Sequence, residues 1–370
     1  MSQRSFIVIG AGVIGASVAF RLAQGGAKVT VIEAGEIGSG TSSTSFAWVN
    51  AHDKSPRAYH DLNVAGRAAH REIAKELKGD WYHETGCLEW RDAADRDAHV
   101  QNVERLQDWG YNACWITRDQ AIDYEPVIDR VGIADAQVTF FPDEGWLDTA
   151  SYVRGLLAAA SALGTHVVTN TRVTGIEWDG QQVLGIETDD ALSYRADVVV
   201  NCMGRWADDS VLPNELQVPM SPSYGLLVYV DAPGIDLNHV LFTPRCHIRP
   251  DRSGGLLICK NDAIHMLGPD TVVDTAMPEV ISLIEEASRM FPKLASMRAS
   301  EVKLGIRAIP ADGLPAIGPL PSIAGYYVAI MHSGVTLAPA VGTMVAAELL
   351  DDTNLDALAP FRPSRLVSMS

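Results

Sequence analysis

Basic residues are scarce in this chain. Of its 370 residues, 29 are Lys or Arg against 46 Asp or Glu, a formal net charge of −17. That balance argues against gripping nucleic acid or anionic lipid through a basic surface. Cysteine is scarce too. There are five, Cys87, Cys114, Cys202, Cys246 and Cys259, irregularly spaced and with no CxxC pair. A zinc ribbon and a thioredoxin-type dithiol are excluded, and the odd count suits reduced thiols in a cytoplasmic protein. The ten histidines are scattered, with no HExxH, so no metal is expected. No stretch approaches the roughly 18 uncharged apolar residues of a membrane span. The apolar start that follows Arg4 is broken by Gly10, Gly12 and Gly15, which argues against a signal peptide. The expectation is a soluble, cytoplasmic protein with no integral membrane segment and no nucleic-acid partner.

What the chain does have is apolar bulk. Hydrophobic residues make up 47% and charged residues 20%, enough to fill a large core, and the length suggests about two domains. Residues 6–9 form an apolar run rich in β-branched side chains, which predicts a buried parallel strand. Residues 13–24 carry apolar positions at helical spacing and stop at Gly25-Gly26. Residues 28–32 predict a second strand, closed by Glu33.

Between the first strand and the helix lies Gly10-Ala11-Gly12-Val13-Ile14-Gly15, a G-x-G-x-x-G pattern in its proper setting. Gly10 permits the tight turn, Gly12 lets the backbone approach a pyrophosphate, and Gly15 lets the helix pack close to the sheet. The helix N-terminus offers N–H groups and roughly half a positive charge to phosphates. Glu33 can accept hydrogen bonds from ribose hydroxyls. The overall negative charge is no obstacle, because distant charge is screened beyond about 8–10 Å. The fingerprint alone fits FAD and NAD equally. After the second strand, however, the chain enters a Ser/Thr-rich loop at 38–45 and then Phe46-Ala47-Trp48, not another βα repeat.

Further along, residues 56–79 predict a surface helix of mixed charge. Residues 81–141 are turn-rich and their strands cannot be ordered. An amphipathic helix is predicted at 148–163, with Tyr152, Leu156, Leu157, Ala160 and Leu163 on one stripe. Strands are predicted at 166–170, 173–178, 183–188 and 197–202, the last as a further strand of the first sheet. Strand-like runs at 224–231 and 239–249 predict an antiparallel sheet. Helices are predicted at 278–291 and 337–350, with a buried strand at 326–331. The fold class is α/β (α+β overall). A discontinuous Rossmann-type dinucleotide domain takes residues 1–80, 142–215 and 300–370, and a mainly antiparallel substrate domain, residues 81–141 and 216–299, is inserted between its pieces.

Several separated motifs run in order along the chain. They are Gly10–15 with Glu33, the loop 39–45, Phe141-Pro-Asp-Glu-Gly145 and Arg172-Val173-Thr-Gly-Ile176. After these come Ala196-Asp-Val-Val-Val-Asn-Cys-Met-Gly-Arg-Trp206, Gly305-Ile-Arg307 with Asp312-Gly-Leu-Pro315, and Ser333-Gly-Val-Thr-Leu-Ala-Pro339. Through them the chain resembles the flavin-dependent D-amino acid oxidase superfamily, which includes glycine oxidase, sarcosine oxidase and D-amino acid dehydrogenases.

The resemblance implies FAD as the cofactor, and it implies the residues that hold it. Gly10, Gly12, Val13, Ile14, Gly15, Glu33 and Ala34 form the first group. Ser39, Thr41, Ser42, Ser45 and Phe46 lie along the pyrophosphate, ribityl chain and ring. Val173 recognises adenine through its backbone, while Cys202, Gly204 and Trp206 approach the pyrophosphate side. Ser333, Gly334, Val335, Thr336 and Leu337 open a helix aimed at the pyrimidine end of the flavin, where its N–H groups stabilise the charge that reduction places there. No cysteine stands near Gly305, so the flavin is expected to be non-covalent. Arg307 matches an arginine that forks onto a substrate carboxylate; the alternative is a structural pair with Asp312. His247 falls where relatives carry a tyrosine, and His332 where several carry a second arginine, which points away from glycine and toward a different or larger amine.

The implied activity is oxidation of the C–N bond of an amino acid or secondary amine. Hydride passes to the flavin, the imine is hydrolysed, and electrons go on to oxygen or another acceptor. The alternative is a flavin subunit of a heteromeric amine or opine dehydrogenase. A homo-oligomer is compatible with either.

Overall fold

The computed structural model describes residues 4–133, 137–260, 267–321 and 323–366. The βαβ unit forms as Ser5–Ile9, Val13–Gln24 and Lys28–Ile32. Successive side chains of a strand point to opposite faces, so the first strand serves two cores. Phe6 and Val8 pack with Val18 of the first helix and with Val341 and Val345 near the chain's end. Ile7 and Ile9 pack on the other face with Val173, Val183 and Ile186. Those three come from a small antiparallel sheet of Val173–Trp178, Val183–Thr188 and Ser193–Arg195.

The central sheet has six strands, in the order Ala316–Pro319, Tyr326–Ile330, Val198–Asn201, Ser5–Ile9, Lys28–Ile32 and His166–Val168. It is parallel except at the first edge, where Ala316–Pro319 runs against Tyr326–Ile330. The predicted strand at 197–202 does join the first sheet, between the N-terminal strand and the one that feeds the last helix.

That helix, Gly334–Asp351, starts three residues before its predicted position, because Ser333 adopts a left-handed φ of 56° and turns the chain sharply into it. It lies backbone to backbone against the first helix, since a Cβ on Gly342 would stand 2.7 Å from Ser17 Cβ. By length and composition it could cross a membrane, but it is mostly buried within the fold as a core helix.

The helix Arg57–Leu77 is a surface helix of mixed charge with one face packed into the fold. Tyr59, Leu62, Gly66, His70 and Ile73 are buried, and a Cβ on Gly66 would meet the Thr336 carbonyl oxygen at 2.4 Å. Pro339 has no N–H to give Val335 four residues earlier, and His70 Nε2 donates to that carbonyl at 2.8 Å instead. The helix Thr149–Ala162 buries Tyr152, Leu156, Leu157 and Ala160 as predicted, but Leu163 falls beyond its last turn and is 52% exposed.

The second sheet has eight strands, in the order Ala299–Arg307, Ser223–Val230, Leu256–Lys260, His247–Pro250, Val240–Phe242, Cys87–Trp90, Val138–Phe141 and Cys114–Ile116. It is antiparallel except where Val240–Phe242 runs parallel to Cys87–Trp90. The predicted run 239–249 breaks in two at a tight turn held by Thr243 Oγ1 on the Cys246 carbonyl, 2.7 Å. Leu226, Val228 and Val230 face the helix Pro278–Ser288. Leu227, with Leu257 and Cys259, faces the other way toward Phe46.

Candidate active site

A cavity of about 680 Å³ runs from Glu33 and Val173, beside the C-terminal ends of the parallel strands, to Arg307 and His247 on the antiparallel sheet. At its first end the backbone is shaped by glycine. Gly10 has φ +101°, and a Cβ there would lie 2.6 Å from the Cys202 carbonyl oxygen. A Cβ on Gly15 would lie 1.9 Å from the Gly10 carbonyl oxygen, so Gly15 supports the turn from behind and does not line the cavity. Gly12, Val13 and Ile14 do line it.

Glu33 fastens this turn. Its Oε2 accepts from Ala11 N at 2.7 Å and its Oε1 from Gly35 N at 2.9 Å, while the residue still faces the cavity. Ser42 Oγ accepts from Val13 N at 3.1 Å, which satisfies one of the unpaired donors of the first helix. Thr41 Oγ1 donates to the Ile306 carbonyl at 2.9 Å and so ties the Ser/Thr loop to the strand bearing Arg307. Ala34, Ser39, Ser45, Phe46, Val173, Cys202, Gly204 and Trp206 line the same cavity.

From the last helix, Ser333, Gly334 and Val335 reach the cavity. Thr336 and Leu337 do not. Thr336 Oγ1 donates to the Trp48 carbonyl and accepts from Asn50 N, each at 3.3 Å, and Leu337 is fully buried in the core. Their part is to hold the helix in place. Tyr59 donates to Ser333 Oγ at 2.9 Å from the neighbouring helix.

At the far end Arg307 Nη1 donates to Ser223 Oγ at 2.7 Å and to the Tyr224 carbonyl at 3.2 Å. Asp312, the alternative partner, is taken by Arg365 at 2.5 Å. His247 is buried and stacks on Phe242, with ring centroids 4.0 Å apart and planes 6° apart. Burial pushes His247 down to about 3, helped by the Arg91 and Arg307 charges. His332 is pushed down to about 4 by burial, then by Lys54 and Arg307. Both rings are therefore neutral near pH 7. Burial raises both cavity thiols, Cys259 to about 12 and Cys202 further, so neither is a thiolate. Among the described residues no group of three or more His, Cys, Asp or Glu could hold a metal ion.

Sequence reasoning stopped at Phe46 and missed the next stretch of lining: Trp48, Asn50, Asp53 and Lys54. The strand Trp48–Val49 carries the chain past the last helix, and a buried charge network anchors residues 51 and 52 just beyond it. His52 Nδ1 sits 3.0 Å from Glu144 Oε1 and its Nε2 3.3 Å from Glu89 Oε2. Burial alone would lower the His52 pKa, but the two carboxylates outweigh it and raise it. Ala51 N donates to both Tyr111 Oη and Glu144 Oε1 at 3.2 Å. Lys54 then enters the cavity wall partly buried, with no hydrogen bond or ion pair to any described residue. A lone lysine has no spacing signature, so nothing in the sequence pattern marks it.

A sequence-family model described as FAD dependent oxidoreductase matches residues 5–348. Glycine oxidase of Bacillus licheniformis is 28% identical over 354 residues, covering 93% of this chain and 92% of its own. Hydrogen cyanide synthase subunit HcnC of Pseudomonas aeruginosa is 23% identical, covering 97% and 95%. The crystal structure of glycine oxidase from Geobacillus kaustophilus superimposes with a TM-score of 0.86 at 25% identity, covering 99% of this chain and all of that one.

Proposed function

The chain belongs to the FAD-dependent oxidoreductase family, and within it we propose that it oxidises the C–N bond of an amino acid or secondary amine. The observation that carries this reading is one cavity holding both a dinucleotide cradle and an arginine. The cradle fits the cofactor. Gly10 and Gly12 line it without side chains in a turn that has no room for a Cβ on Gly10, the first helix opens toward it, and Glu33 lines it beside them. In this reading Gly12, Val13 and Ile14 take the pyrophosphate, Glu33 the ribose and the Val173 backbone the adenine. The loop from Ser39 to Phe46, with Ser333, Gly334 and Val335, takes the flavin end.

When bound, FAD is the two-electron acceptor for the substrate's α-hydrogen, and the imine left behind is hydrolysed in water. The protein contributes position and electrostatics. Arg307 binds the substrate carboxylate, and its hydrogen bonds to Ser223 and Tyr224 set the plane of the fork. His247 and His332, being neutral, offer single hydrogen bonds without adding charge. Phe46, Trp48 and Phe242 wall off water. No cysteine stands near Gly305 in the sequence, and in this reading the flavin is held non-covalently.

The likeness to glycine oxidases supports an amino acid substrate. The likeness to a hydrogen cyanide synthase subunit supports the second reading, a flavin subunit that works only with partner subunits; copurification of a partner from the native source would establish it.

The test is spectroscopic. Purified protein should show bands near about 370 and 450 nm, where oxidised flavins absorb, and acid precipitation should release the flavin into solution. Anaerobic addition of amino acids or N-alkyl amines should bleach the bands, and peroxide yield in air should separate oxidase from dehydrogenase. A colourless protein that cannot be reconstituted with FAD would overturn the reading, as would a flavin that no amino acid or amine reduces.

A further inference from the structure

Four cationic side chains line the cavity, Arg172, Arg205, Arg307 and Lys54, and of these Arg307 and Lys54 are the two whose charges bear on His332. They come from separate elements. Arg307 ends the edge strand Ala299–Arg307, while Lys54 follows the short strand Trp48–Val49. Both charges act on the His332 ring, so both stand within electrostatic reach of one point in the cavity. In a chain of net charge −17 this pairing is a local feature and not a by-product of composition.

Arg307 is held by a hydroxyl and a carbonyl of the neighbouring strand. Lys54 differs. Its ammonium has no hydrogen bond or ion pair to any described residue, and Asp53, which also lines the cavity, does not approach it within ion-pair distance. Burial lowers its pKa, and Asp53 and Glu144 only partly offset that. Glu144 is itself committed to His52 and Tyr111. A partly desolvated ammonium without a partner is costly, and an anion brought by a ligand removes the cost.

The backbone that presents Lys54 is fixed, not loose. Ala51 N is held by Tyr111 and Glu144, the Ala51 carbonyl accepts from His60 Nδ1 at 2.8 Å, and His52 is clamped between Glu144 and Glu89. A charge delivered on an anchored segment is organised before the substrate arrives.

We infer that Lys54 receives a second anionic group of the substrate, so that the site selects amino acids or secondary amines bearing two carboxylates, one bound by Arg307 and the other by Lys54. This rests on the amine-oxidising reading above and narrows its substrate class. The discrimination works by contrast. A diacid pairs both cations, whereas a substrate with a neutral side chain leaves Lys54 stranded in a partly dry site.

The test uses acid and amide pairs of equal size: iminodiacetate against N-(carbamoylmethyl)glycine, and the D and L forms of glutamate against glutamine and of aspartate against asparagine. Two readouts are taken on the holoenzyme, the limiting slope of flavin reduction and the ligand-induced change in the flavin spectrum. For at least one pair the wild type should prefer the acid by about tenfold to a hundredfold, which at about 1.4 kcal/mol per tenfold is about 1.4–2.8 kcal/mol. In Lys54→Met the acid-to-amide ratio should collapse toward one, and Lys54→Arg should keep part of it. Lys54→Gln is measured alongside in case the Met variant loses flavin. A wild type that shows no acid preference in any pair, or a preference that survives in Lys54→Met and Lys54→Gln, would overturn the inference while leaving amine oxidation intact. A changed flavin midpoint potential with an unchanged ratio would assign Lys54 to the cofactor and overturn it too. If no amino acid or amine reduces the wild-type flavin, the broader reading fails and takes this one with it.

Discussion

Replacing Arg307 with Ala tests the substrate side of the site most directly. The guanidinium is partly buried, and desolvation lowers its pKa, yet an arginine remains charged at any working pH. Removing one member of a buried, hydrogen-bonded charge pair costs about 2–5 kcal/mol. At about 1.4 kcal/mol per tenfold this is roughly 30- to 4000-fold in substrate binding. The structure adds a graded companion. Ser223 Oγ accepts from Arg307 Nη1 at 2.7 Å, so Ser223→Ala loosens the fork without removing it. A typical net hydrogen bond contributes about 0.5–1.5 kcal/mol, or about two- to twelvefold. Because Ser223 would act only through Arg307, its effect should vanish in the Arg307→Ala background, a coupling that a double-mutant cycle isolates. Lys at 307 should recover only part of the loss, since it offers a point charge instead of a fork. The assay is anaerobic stopped-flow reduction of the bound flavin against substrate concentration, with flavin content measured for every variant and expected to stay near wild type. If Arg307→Ala saturates like the wild type with its best carboxylate substrate, the clamp is wrong. If Ser223→Ala costs as much without Arg307 as with it, the orienting role is wrong. If the best substrate proves to lack a carboxylate, Arg307 is structural and the amino acid half of the proposal fails.

Glu33→Ala strips the acceptor from Ala11 N and Gly35 N, and at about 1.5–3 kcal/mol for a hydrogen bond to a charged group it should cut FAD retention at least tenfold; unchanged flavin after dialysis would refute this. Gly66→Ala and Gly334→Val should behave oppositely. The Gly66 Cβ would press on the Thr336 carbonyl at 2.4 Å and should cost about 1–3 kcal/mol of stability as overpacking. The Gly334 Cβ meets only side-chain atoms of Ile14 and Met331, the nearest at 3.6 Å, so a valine there should spare the thermal midpoint of the apoprotein and cost flavin; equal destabilisation by both would refute the distinction. Acid should unfold the protein early. Burial holds His70 and His332 at about 4 and His247 at about 3, all below the unfolded 6.5. Below pH 6.5 the unfolded chain binds protons that the folded one refuses, so stability falls toward pH 4 by up to about 1.4 kcal/mol per pH unit for each histidine. A urea midpoint that stays flat between about pH 6.5 and 4.5 would refute the shared neutrality of these rings.

The parts of this fold that were legible in the sequence are those whose requirements are local. The turn at Gly10, the helix behind it and Glu33 sit within one short βαβ unit, and each residue type has its own steric or hydrogen-bonding reason to be there. The stretch 81–141 was illegible because its strands pair beyond intervening helices: Cys87–Trp90 and Cys114–Ile116 both pair with Val138–Phe141. Cys87–Trp90 also pairs, in parallel, with Val240–Phe242, far along the chain. The packed face of the helix Arg57–Leu77 was not legible because it includes Asn63, Arg67 and His70, which periodicity counts as solvent-facing. His70 is buried for a reason that lies in another element, the proline of the last helix whose missing N–H it replaces. Arg307, His247 and His332 were singled out through family resemblance alone, and all three line the cavity. Lys54 was missed because its significance lies in what surrounds it.

The segment from Thr41 to Lys54 ties the two sheets together along one cavity. At its start Ser42 caps the first helix and Thr41 holds the Ile306 carbonyl, so the dinucleotide cradle and the Arg307 strand share one loop. In the middle the Phe46 carbonyl accepts from Arg249 Nε at 2.6 Å, and that buried guanidinium lies over the Trp146 ring at 4.7 Å. Trp48–Val49 then pairs with Gly145–Leu147, and Thr336 bonds to the same stretch from the last helix. At its end His52 is locked between Glu89 and Glu144. These fastenings reach different elements, so the course of the segment is fixed largely by the assembled protein and not by its own propensity, which is that of a Ser/Thr-rich loop. A ligand that touches Ser42 at one end of the cavity and a ligand that touches Lys54 at the other are therefore held by one continuous strap. In the proposed reading, the spacing between the cofactor and substrate sites is set by fourteen consecutive residues.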